Sequence, residues 1–307
     1  MFAQDGTEGA ADAGDRGPTR RRVLAGAALA GAAVLLPGGS AAFAGEAAAG
    51  PIEVVLEPDT LDVPERVPCG AVTFHVTTPA EEGRSLLLVR LAEGVGVDEY
   101  LALLAGTGAQ DPQERAAAAR AVSAAADNLG GAVVSAATGA GFTQVLTPGE
   151  YVLVNYGYAS PGPPVVRTVR AVRGAVAGRP WAPAAIVHHD GAGGKEFAVA
   201  GSPPAGGALT VVNTTATPQE AMLVPVVPGT TEEDVRAYFE ALRDGREPPV
   251  QPMLGRPVGM APLGAGRRAV LHTEFAPGPH ALFSFTVDHE TGINHALQGM
   301  SRLVGLA

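Results

Sequence analysis

The residues best suited to chemistry lie near the C-terminus, where His295 and Met300 are separated by four residues. A strand-length apolar run over residues 281–287 comes first, and a polar loop over residues 288–294 leads from it to His295. Runs of this length that follow a Pro-Gly turn signal are typical of β-strands. An imidazole and a thioether are both ligands that copper accepts in proteins. The segment therefore makes His295 and Met300 candidate metal ligands.

Two interpretations of this pair remain open. In the first, His295 and Met300 form a weak two-ligand copper site that His280 or His289 completes. In the second, the pair binds no metal. Met300 is then an adaptable apolar filler, and His295 is a hydrogen-bonded loop residue. The sequence favours the second interpretation.

The other reactive side chains suggest no catalytic site. His188 and His189 are adjacent, and adjacent residues of a strand point to opposite faces, so the two cannot easily share one metal ion. Cys69 is the single cysteine, which excludes an intrachain disulfide, and no His or Asn partner for it is evident. Ser284 lacks the G-x-S-x-G turn of a nucleophilic serine. No catalytic residue is predicted, and we expect the protein not to be an enzyme.

A diverged internal repeat organises most of the chain. Residues 70–78 match residues 207–215, and four further matches follow in the same order before the closing segments 166–172 and 300–306. Matches in one order with small changes of offset are hard to obtain by chance. The sequence therefore predicts two copies, residues 51–174 and residues 184–307, joined by residues 174–183.

Within each copy, most apolar runs are strand-length, rich in Val and Thr, and bounded by Gly or Pro, as in an all-β sandwich. Each copy also contains a predicted helical insertion. Asp111-Pro112 in the first copy and Thr230-Thr231 in the second carry the signals of helix N-termini. The second helix places Val235, Tyr238, Phe239 and Leu242 on one apolar face, which favours packing against its own sandwich.

Taken together, both copies resemble the cupredoxin family, on the repeated P-G-x-Y/H-x-L segment and the closing G-x-x-H-x4-M. The resemblance implies an all-β fold of two tandem Greek-key β-sandwiches, each with a helical insertion. In copper-binding cupredoxins it implies a mononuclear site of two His, one Cys and one Met. The thiolate and the imidazoles then form a trigonal plane around copper, and the weak axial Met tunes the potential.

Carried over residue by residue, His295 corresponds to the second His and Met300 to the axial Met. Ser284 occupies the Cys position, and Gln219 occupies the position of the first His, with Glu220 or Ala221 as alternative registers. We expect these four residues to converge, with Ser284 or Gln219 hydrogen-bonded to His295. In the first copy, Arg84 and Asn155 fall at the corresponding places, and the shortened loop that follows has no His or Met. A Ser hydroxyl cannot replace a thiolate, so the resemblance implies a degenerate copper site.

The N-terminus is predicted to be a targeting segment, residues 1–44. Arg20 and Arg21 precede a mild Ala/Gly-rich apolar run, and Ala42-Phe43-Ala44 has the A-x-A form of a cleavage site. The arginine pair is similar to a bacterial twin-arginine (Tat) signal. The apolar run over residues 23–36 is shorter than the roughly 20 residues that span a bilayer. We therefore expect an exported protein, secreted or in the cell envelope, with no membrane span in the mature chain.

Composition narrows the classes of partner. The formal net charge of −10 argues against nucleic acid. The leading hypothesis is an exported, copper-free cupredoxin-like protein that binds an envelope protein or a small molecule, or has a structural role. The alternative is a periplasmic or secreted copper carrier that uses His295 and Met300. A small oxidase would need H-x-H pairs for a trinuclear cluster, and the sequence has none.

Overall fold

A computed structural model describes residues 50–157, 163–173 and 180–307. The predicted signal segment and most of the predicted connection at 174–183 lie outside these ranges. Contacts divide the chain after Ala47, and all described residues belong to the compact unit that runs from Ala48 to Ala307.

The described residues form sixteen β-strands, three α-helices and one 3₁₀ helix. The strands are β1 (Ile52–Val55), β2 (Arg66–Pro68), β3 (Gly70–Thr77), β4 (Arg84–Leu91), β5 (Ala126–Val134), β6 (Ala140–Leu146), β7 (Gly149–Gly157), β8 (Val165–Val172), β9 (Ala184–Gly191), β10 (Gly194–Ala200), β11 (Gly206–Asn213), β12 (Gln219–Pro225), β13 (Val258–Leu263), β14 (Arg268–Glu274), β15 (Gly278–Phe283) and β16 (Ser301–Leu306). The helices are α1 (Val97–Gly106), α2 (Pro112–Ala125), α3 (Glu232–Arg243) and the 3₁₀ helix His295–Gln298.

The strands form two sheets that enclose a hydrophobic core. One sheet has seven strands in the order β1-β3-β6-β14-β11-β9-β10, and the other has nine in the order β16-β15-β12-β13-β5-β4-β7-β8-β2. Strands such as β3 bury alternate residues, as expected when one face packs on a core. Phe74 and Phe142 stack in this core with ring centroids 5.0 Å apart. The protein is an all-β sandwich, as the sequence predicts.

Strands from both halves of the chain are continuous within each sheet. β6 pairs with β14 in one sheet, and β5 pairs with β13 in the other, both antiparallel. The strand order on one side of each junction repeats the order on the other side. In the seven-stranded sheet, β3 and β1 follow β6 as β11 and β9 follow β14. In the nine-stranded sheet, β4, β7 and β8 follow β5 as β12, β15 and β16 follow β13. The parallel pairing of β1 with β3 is likewise matched by β9 with β11.

Two central positions of the nine-stranded sheet accept only glycine. Gly131 in β5 has φ +146°, and Gly259 in β13 has φ +158°. A β-carbon at Gly131 would lie 1.9 Å from the carbonyl oxygen of Leu86, and one at Gly259 would lie 2.2 Å from that of Ala221. The strands therefore approach too closely at these points for any side chain.

Helices cover the outer face of the nine-stranded sheet and enclose a second hydrophobic cluster there. The predicted start of α2 is confirmed, whereas the capping box predicted for Thr230 to Glu233 lies one residue later in the structure. The Asp111 side chain caps α2 by accepting hydrogen bonds from the backbone N–H groups two and three residues later. Thr231 and Asp234 form a capping box at the start of α3. Val235, Tyr238 and Phe239 of α3 are buried against the sheet, as the apolar face predicts. None of the helices in the described ranges combines the length and the apolar character needed to span a bilayer.

Candidate metal centre

Residues at the predicted ligand positions lie together at one end of the nine-stranded sheet. β12 begins at Gln219 and pairs antiparallel with β15, which ends at Phe283. Ser284 directly follows β15, so this register brings it beside the start of β12. The Ser284 hydroxyl donates a 2.9 Å hydrogen bond to Oε1 of Gln219, and both side chains are fully buried. The predicted proximity is confirmed, and Gln219, rather than Glu220 or Ala221, is the residue whose side chain meets Ser284.

The hydrogen-bonding capacity of these two side chains is largely used. The Ser284 hydroxyl accepts a 3.1 Å bond from the backbone N–H of Glu220 and lies 2.9 Å from Oγ1 of Thr286. The Gln219 amide donates a 3.0 Å bond to Oγ1 of Thr217. An unpaired buried polar group costs about 1–3 kcal/mol, so the network stabilises these side chains where they are. The space of the predicted Cys and His ligands is thus filled by a hydrogen-bonded polar cluster.

The first half contains an equivalent polar pair. Arg84 and Asn155 occupy the same relative register in β4 and β7 as Gln219 and Ser284 in β12 and β15. Nε of Arg84 donates a 2.7 Å hydrogen bond to Oδ1 of Asn155, and both residues are buried. The Asn155 amide donates to two backbone carbonyls of the segment before β2. A guanidinium at this position disfavours a bound cation.

The segment that carries His295 is attached to Ser284 through the backbone. The N–H of Ala296 donates a 2.8 Å bond to the carbonyl of Ser284, and the N–H of His295 donates a 3.0 Å bond to that of Thr286. Met300 follows the 3₁₀ helix and is buried in the core between the sheets. The expected hydrogen bond from Ser284 or Gln219 to His295 is wrong. Within the described residues, Nε2 of His295 is buried without a partner, because both expected donors are used within the polar cluster.

The His295 ring is held neutral by its surroundings. Burial lowers its pKa to about 4, against the opposing attraction of Asp288, whose Oδ2 lies 3.8 Å from Nδ1. A neutral imidazole with an unpaired Nε2 is chemically able to bind a metal ion. His295 therefore retains an unpaired buried ring nitrogen, and so does His280, whose Nε2 is also buried without a partner in the described residues.

Glu220 is a buried acid that the sequence analysis considered only as an alternative register. Its Oε2 accepts a 2.9 Å hydrogen bond from the N–H of Phe285, and its backbone carbonyl lies 2.9 Å from Nε2 of His188. Burial raises the pKa of Glu220 to about 7, opposed by the Phe285 hydrogen bond. Glu220 therefore links β12 to β9 and to the end of β15. The sequence signal for this role was the position of Glu220, directly after Gln219 and at the start of an apolar strand.

The adjacent histidines of β9 face opposite sides of the sheet, as predicted. His188 is fully buried, whereas His189 is only partly buried. Nε2 of His188 is directed at the Glu220 carbonyl, and burial lowers the His188 pKa to about 4. His188 is therefore neutral at pH 7 and has a structural role.

His280 and His289, the two histidines that could complete a copper site at His295, contact other residues. His280 lies four residues before Ser284 on β15, roughly 13 Å along the strand, and packs on Phe275. His289 lies with Nε2 3.3 Å from Oγ of Ser123 in α2. The loop between β15 and the 3₁₀ helix thus docks on a helix of the first half. His280 therefore lies along β15 away from Ser284, at which the His295 segment is attached.

Across residues 50–157, 163–173 and 180–307, no three His, Cys, Asp or Glu side chains are arranged to hold a metal ion. The arrangement near His295 offers one unpaired imidazole nitrogen beside a closed polar cluster, while the Met300 side chain packs in the core between the sheets.

The chain matches no protein-family model and no curated protein. Solved structures similar to it include auracyanin B, at 19% identity over 40% of this chain and 86% of that chain, with a TM-score of 0.23. Reduced auracyanin from the photosynthetic bacterium Roseiflexus castenholzii shares 22% identity over 40% of this chain and 94% of its own, with a TM-score of 0.22. Lac15 from a marine microbial metagenome shares 13% identity over 83% and 66%, with a TM-score of 0.23.

Proposed function

We propose that the chain is a tandem pair of cupredoxin-like units that has lost copper and acts as an exported binding or structural protein of the bacterial cell envelope. One observation carries the proposal. The positions that the sequence resemblance assigns to Cys and the first His hold a buried, mutually hydrogen-bonded pair in both halves. The two pairs sit in the same strand register, so a common ancestral site explains both.

The chemistry of the pairs supports a copper-free role. Stable mononuclear copper of the cupredoxin type depends on a thiolate, which a Ser hydroxyl cannot supply. Binding copper here would also break the bonds from Ser284 to Gln219 and from Glu220 to Ser284. The sequence suggests no catalytic residue, since Ser284 lacks the turn of a nucleophilic serine and no partner for Cys69 is evident, and the proposed role is accordingly a non-catalytic one. The proposed binding partner is an envelope protein or a small molecule.

Copper content tests this directly. The purified chain, refolded with excess Cu(II) and then desalted, is expected to retain no stoichiometric copper and to be colourless. A protein that holds one equivalent of copper with intense blue absorption would overturn the proposal.

Restoring the missing ligands is expected to create a copper centre. In Ser284→Cys/Gln219→His the new thiolate and imidazole lie where the present side chains already touch at 2.9 Å, beside the segment that carries His295. We expect a coloured Cu(II) adduct with one equivalent of metal. The matched control is Asn155→Cys/Arg84→His, which rebuilds the same pair in the first half, where the following loop has no His or Met; it should stay colourless. A colourless second-half variant that is folded would contradict the cupredoxin assignment.

The free Nε2 of His295 favours a second candidate function, a copper carrier that uses His295 and Met300. Titration with Cu(I) separates the two. The carrier requires a loss of affinity in Met300→Leu, which preserves the volume of a buried side chain. The leading proposal requires that Met300→Leu and the parent chain bind Cu(I) equally weakly.

The exported location rests on the twin-arginine pair, which lies outside the described residues. If Arg20 and Arg21 direct export and cleavage follows Ala44, then Arg20→Lys/Arg21→Lys should leave the uncleaved precursor inside the cell. Undiminished export of the double variant would contradict this part of the proposal.

A further inference from the structure

A cavity of about 400 Å³ lies at the end of the nine-stranded sheet where β4 ends and β5 begins. The last turn of α2 lines it, together with residues 216–218 and the turn at residues 264–265 of the second half. Most of its other lining residues are small or apolar, among them Leu91, Ala126 and Pro218. Its volume lies within the roughly 300–1,000 Å³ range of small-molecule sites, which often form where two structural units meet.

Asn128 is the buried polar residue of this cavity. It is 4% exposed, and it pairs across the sheet with Val89, which belongs to the apolar cluster beneath the helices. The next residue in β5, Leu129, belongs instead to the core between the two sheets. Since neighbouring residues of a strand point to opposite faces, the Asn128 amide lies on the outer, helix-covered face.

The Asn128 side chain makes no hydrogen bond within the part of the chain that the structure describes. Its backbone carbonyl accepts a 2.8 Å bond from the N–H of Gly264 on the neighbouring strand, but glycine has no side chain to offer the amide. A side-chain amide has two donors and a carbonyl acceptor, and burying such a group unpaired costs about 1–3 kcal/mol. A ligand in the cavity can supply the partner that the protein does not.

The charged residues that border the cavity are engaged elsewhere. Arg90 and Asp127 pair with each other across β4 and β5, one residue along from Val89 and Asn128, and therefore point to the opposite face. The Arg90 guanidinium donates a 3.1 Å bond to Oγ1 of Thr147. The Asp127 carboxylate accepts two hydrogen bonds from Arg267. A charged ligand would gain no countercharge from either residue, so the cavity suits an uncharged molecule.

We propose that this cavity binds a small uncharged molecule that presents a cyclic amide (lactam) edge to Asn128. A lactam carries its N–H and its C=O on the same side, so it can pair with the C=O and the NH2 of a primary amide through two hydrogen bonds. The small apolar lining accommodates the rest of the ring. The inference rests on the binding role proposed above and deepens it by naming the class of small molecule.

The second half does not repeat this arrangement. Gly131 and Gly259 are equivalent positions, because each approaches a carbonyl of the neighbouring strand too closely for a side chain. Three residues before them stand Asn128 and Arg256, respectively. A guanidinium thus replaces the amide, and we expect the lactam to bind at one end of the molecule only.

Titration of the full, ¹⁵N-labelled chain with δ-valerolactam, followed by NMR, tests the proposal. We expect a saturable shift of the Asn128 side-chain NH2 resonances. N-methyl-δ-valerolactam, which lacks the N–H, should bind about tenfold more weakly, because it leaves the amide oxygen of Asn128 unpaired. Asn128→Val, which replaces the amide by an apolar side chain suited to a strand, should weaken lactam binding by about tenfold or more. Backbone resonances of Ala126 and Ala265 report on binding to this variant.

A matched control makes the result decisive. Arg256→Ala alters the equivalent position of the second half and should bind the lactam as the parent does. Asn128→Asp keeps the shape of the side chain but removes its donors, and it should show a loss of affinity even if Asn128→Val does not fold by circular dichroism. The proposal is overturned if the lactam gives no saturable shift or if the N-methyl compound binds equally well. It is also overturned if folded Asn128 variants bind as tightly as the parent, or if Arg256→Ala shows an equal loss. None of these outcomes alters the copper tests, which concern other residues.

Discussion

Gly131→Ala is expected to lower the free energy of unfolding by about 4 kcal/mol, the sum of ~1–3 kcal/mol for a strained backbone and ~1–3 kcal/mol for crowding. The new β-carbon would lie 1.9 Å from the Leu86 carbonyl oxygen and 3.2 Å from the Leu87 Cα. β4 cannot retreat, because β7 is hydrogen-bonded along its other edge. The displacement must therefore spread through the centre of the nine-stranded sheet.

Gly278→Ala is the matched control for the steric part of this effect. Gly278 has φ +133°, and a β-carbon there would meet no atom within 4 Å. It should show the backbone strain alone, about 1–3 kcal/mol. Urea unfolding followed by far-UV circular dichroism measures both, since the single Trp181 is largely exposed and reports little on the core. Equal losses in the two variants would show that the close approach of β4 and β5 is not a constraint.

Glu220→Gln is expected to match the parent in stability at pH 4 and to exceed it by about 3 kcal/mol above pH 7, from 1.36 kcal/mol per pKa unit. Burial raises the pKa of Glu220 from 4.5 to about 7 in the folded state. Between these values the unfolded chain releases the proton while the folded chain retains it, so the parent loses stability as pH rises. Glutamine cannot ionise, and its amide oxygen can accept the same hydrogen bond from Phe285.

The measured quantity must be the difference in stability between Glu220→Gln and the parent at each pH. His188 and His295 change the stability of both proteins with pH in the direction opposite to Glu220. Burial lowers the pKa of each to about 4, so their contribution to stability is lost as pH falls from 6.5 towards 4. Both histidines are present in parent and variant, and their effect cancels in the difference. Glu81→Gln, at an exposed turn, controls for the loss of one carboxylate. A Glu220→Gln advantage that is the same at every pH would contradict the assigned titration.

Local signals in the sequence were enough to predict the elements. Capping residues at Asp111 and Thr231 marked two helices, and Val/Thr-rich runs between turns marked the strands that pair around Gln219 and Ser284. These features depend on residues within one turn or one strand of each other. The proximity of Gln219 and Ser284 was predictable because the sequence resemblance assigns both residues to ligand positions of one site.

Contacts between the halves were not predictable in the same way. Nothing local to β5 or β13 specifies that they pair, because an apolar strand buried on both faces can accept many neighbours. The docking of the loop on α2 depends on Gly292, whose β-carbon would lie 1.8 Å from the Pro112 carbonyl oxygen, 180 residues away in sequence.

The two junctions between the halves allow the two halves to diverge in sequence independently. Ala132 pairs with Met260 where the matched strand orders meet, which is the arrangement of an isologous twofold dimer held within one polypeptide. In a symmetric dimer every substitution appears twice, at both ends of the assembly. In this chain the two halves are encoded separately, so the first half can contain Arg84 and Asn155 at positions where the second half contains Gln219 and Ser284. Separated halves would each expose β5 and β6, or β13 and β14, as long unpaired edges that invite aggregation, and this keeps the two diverging ends in one molecule.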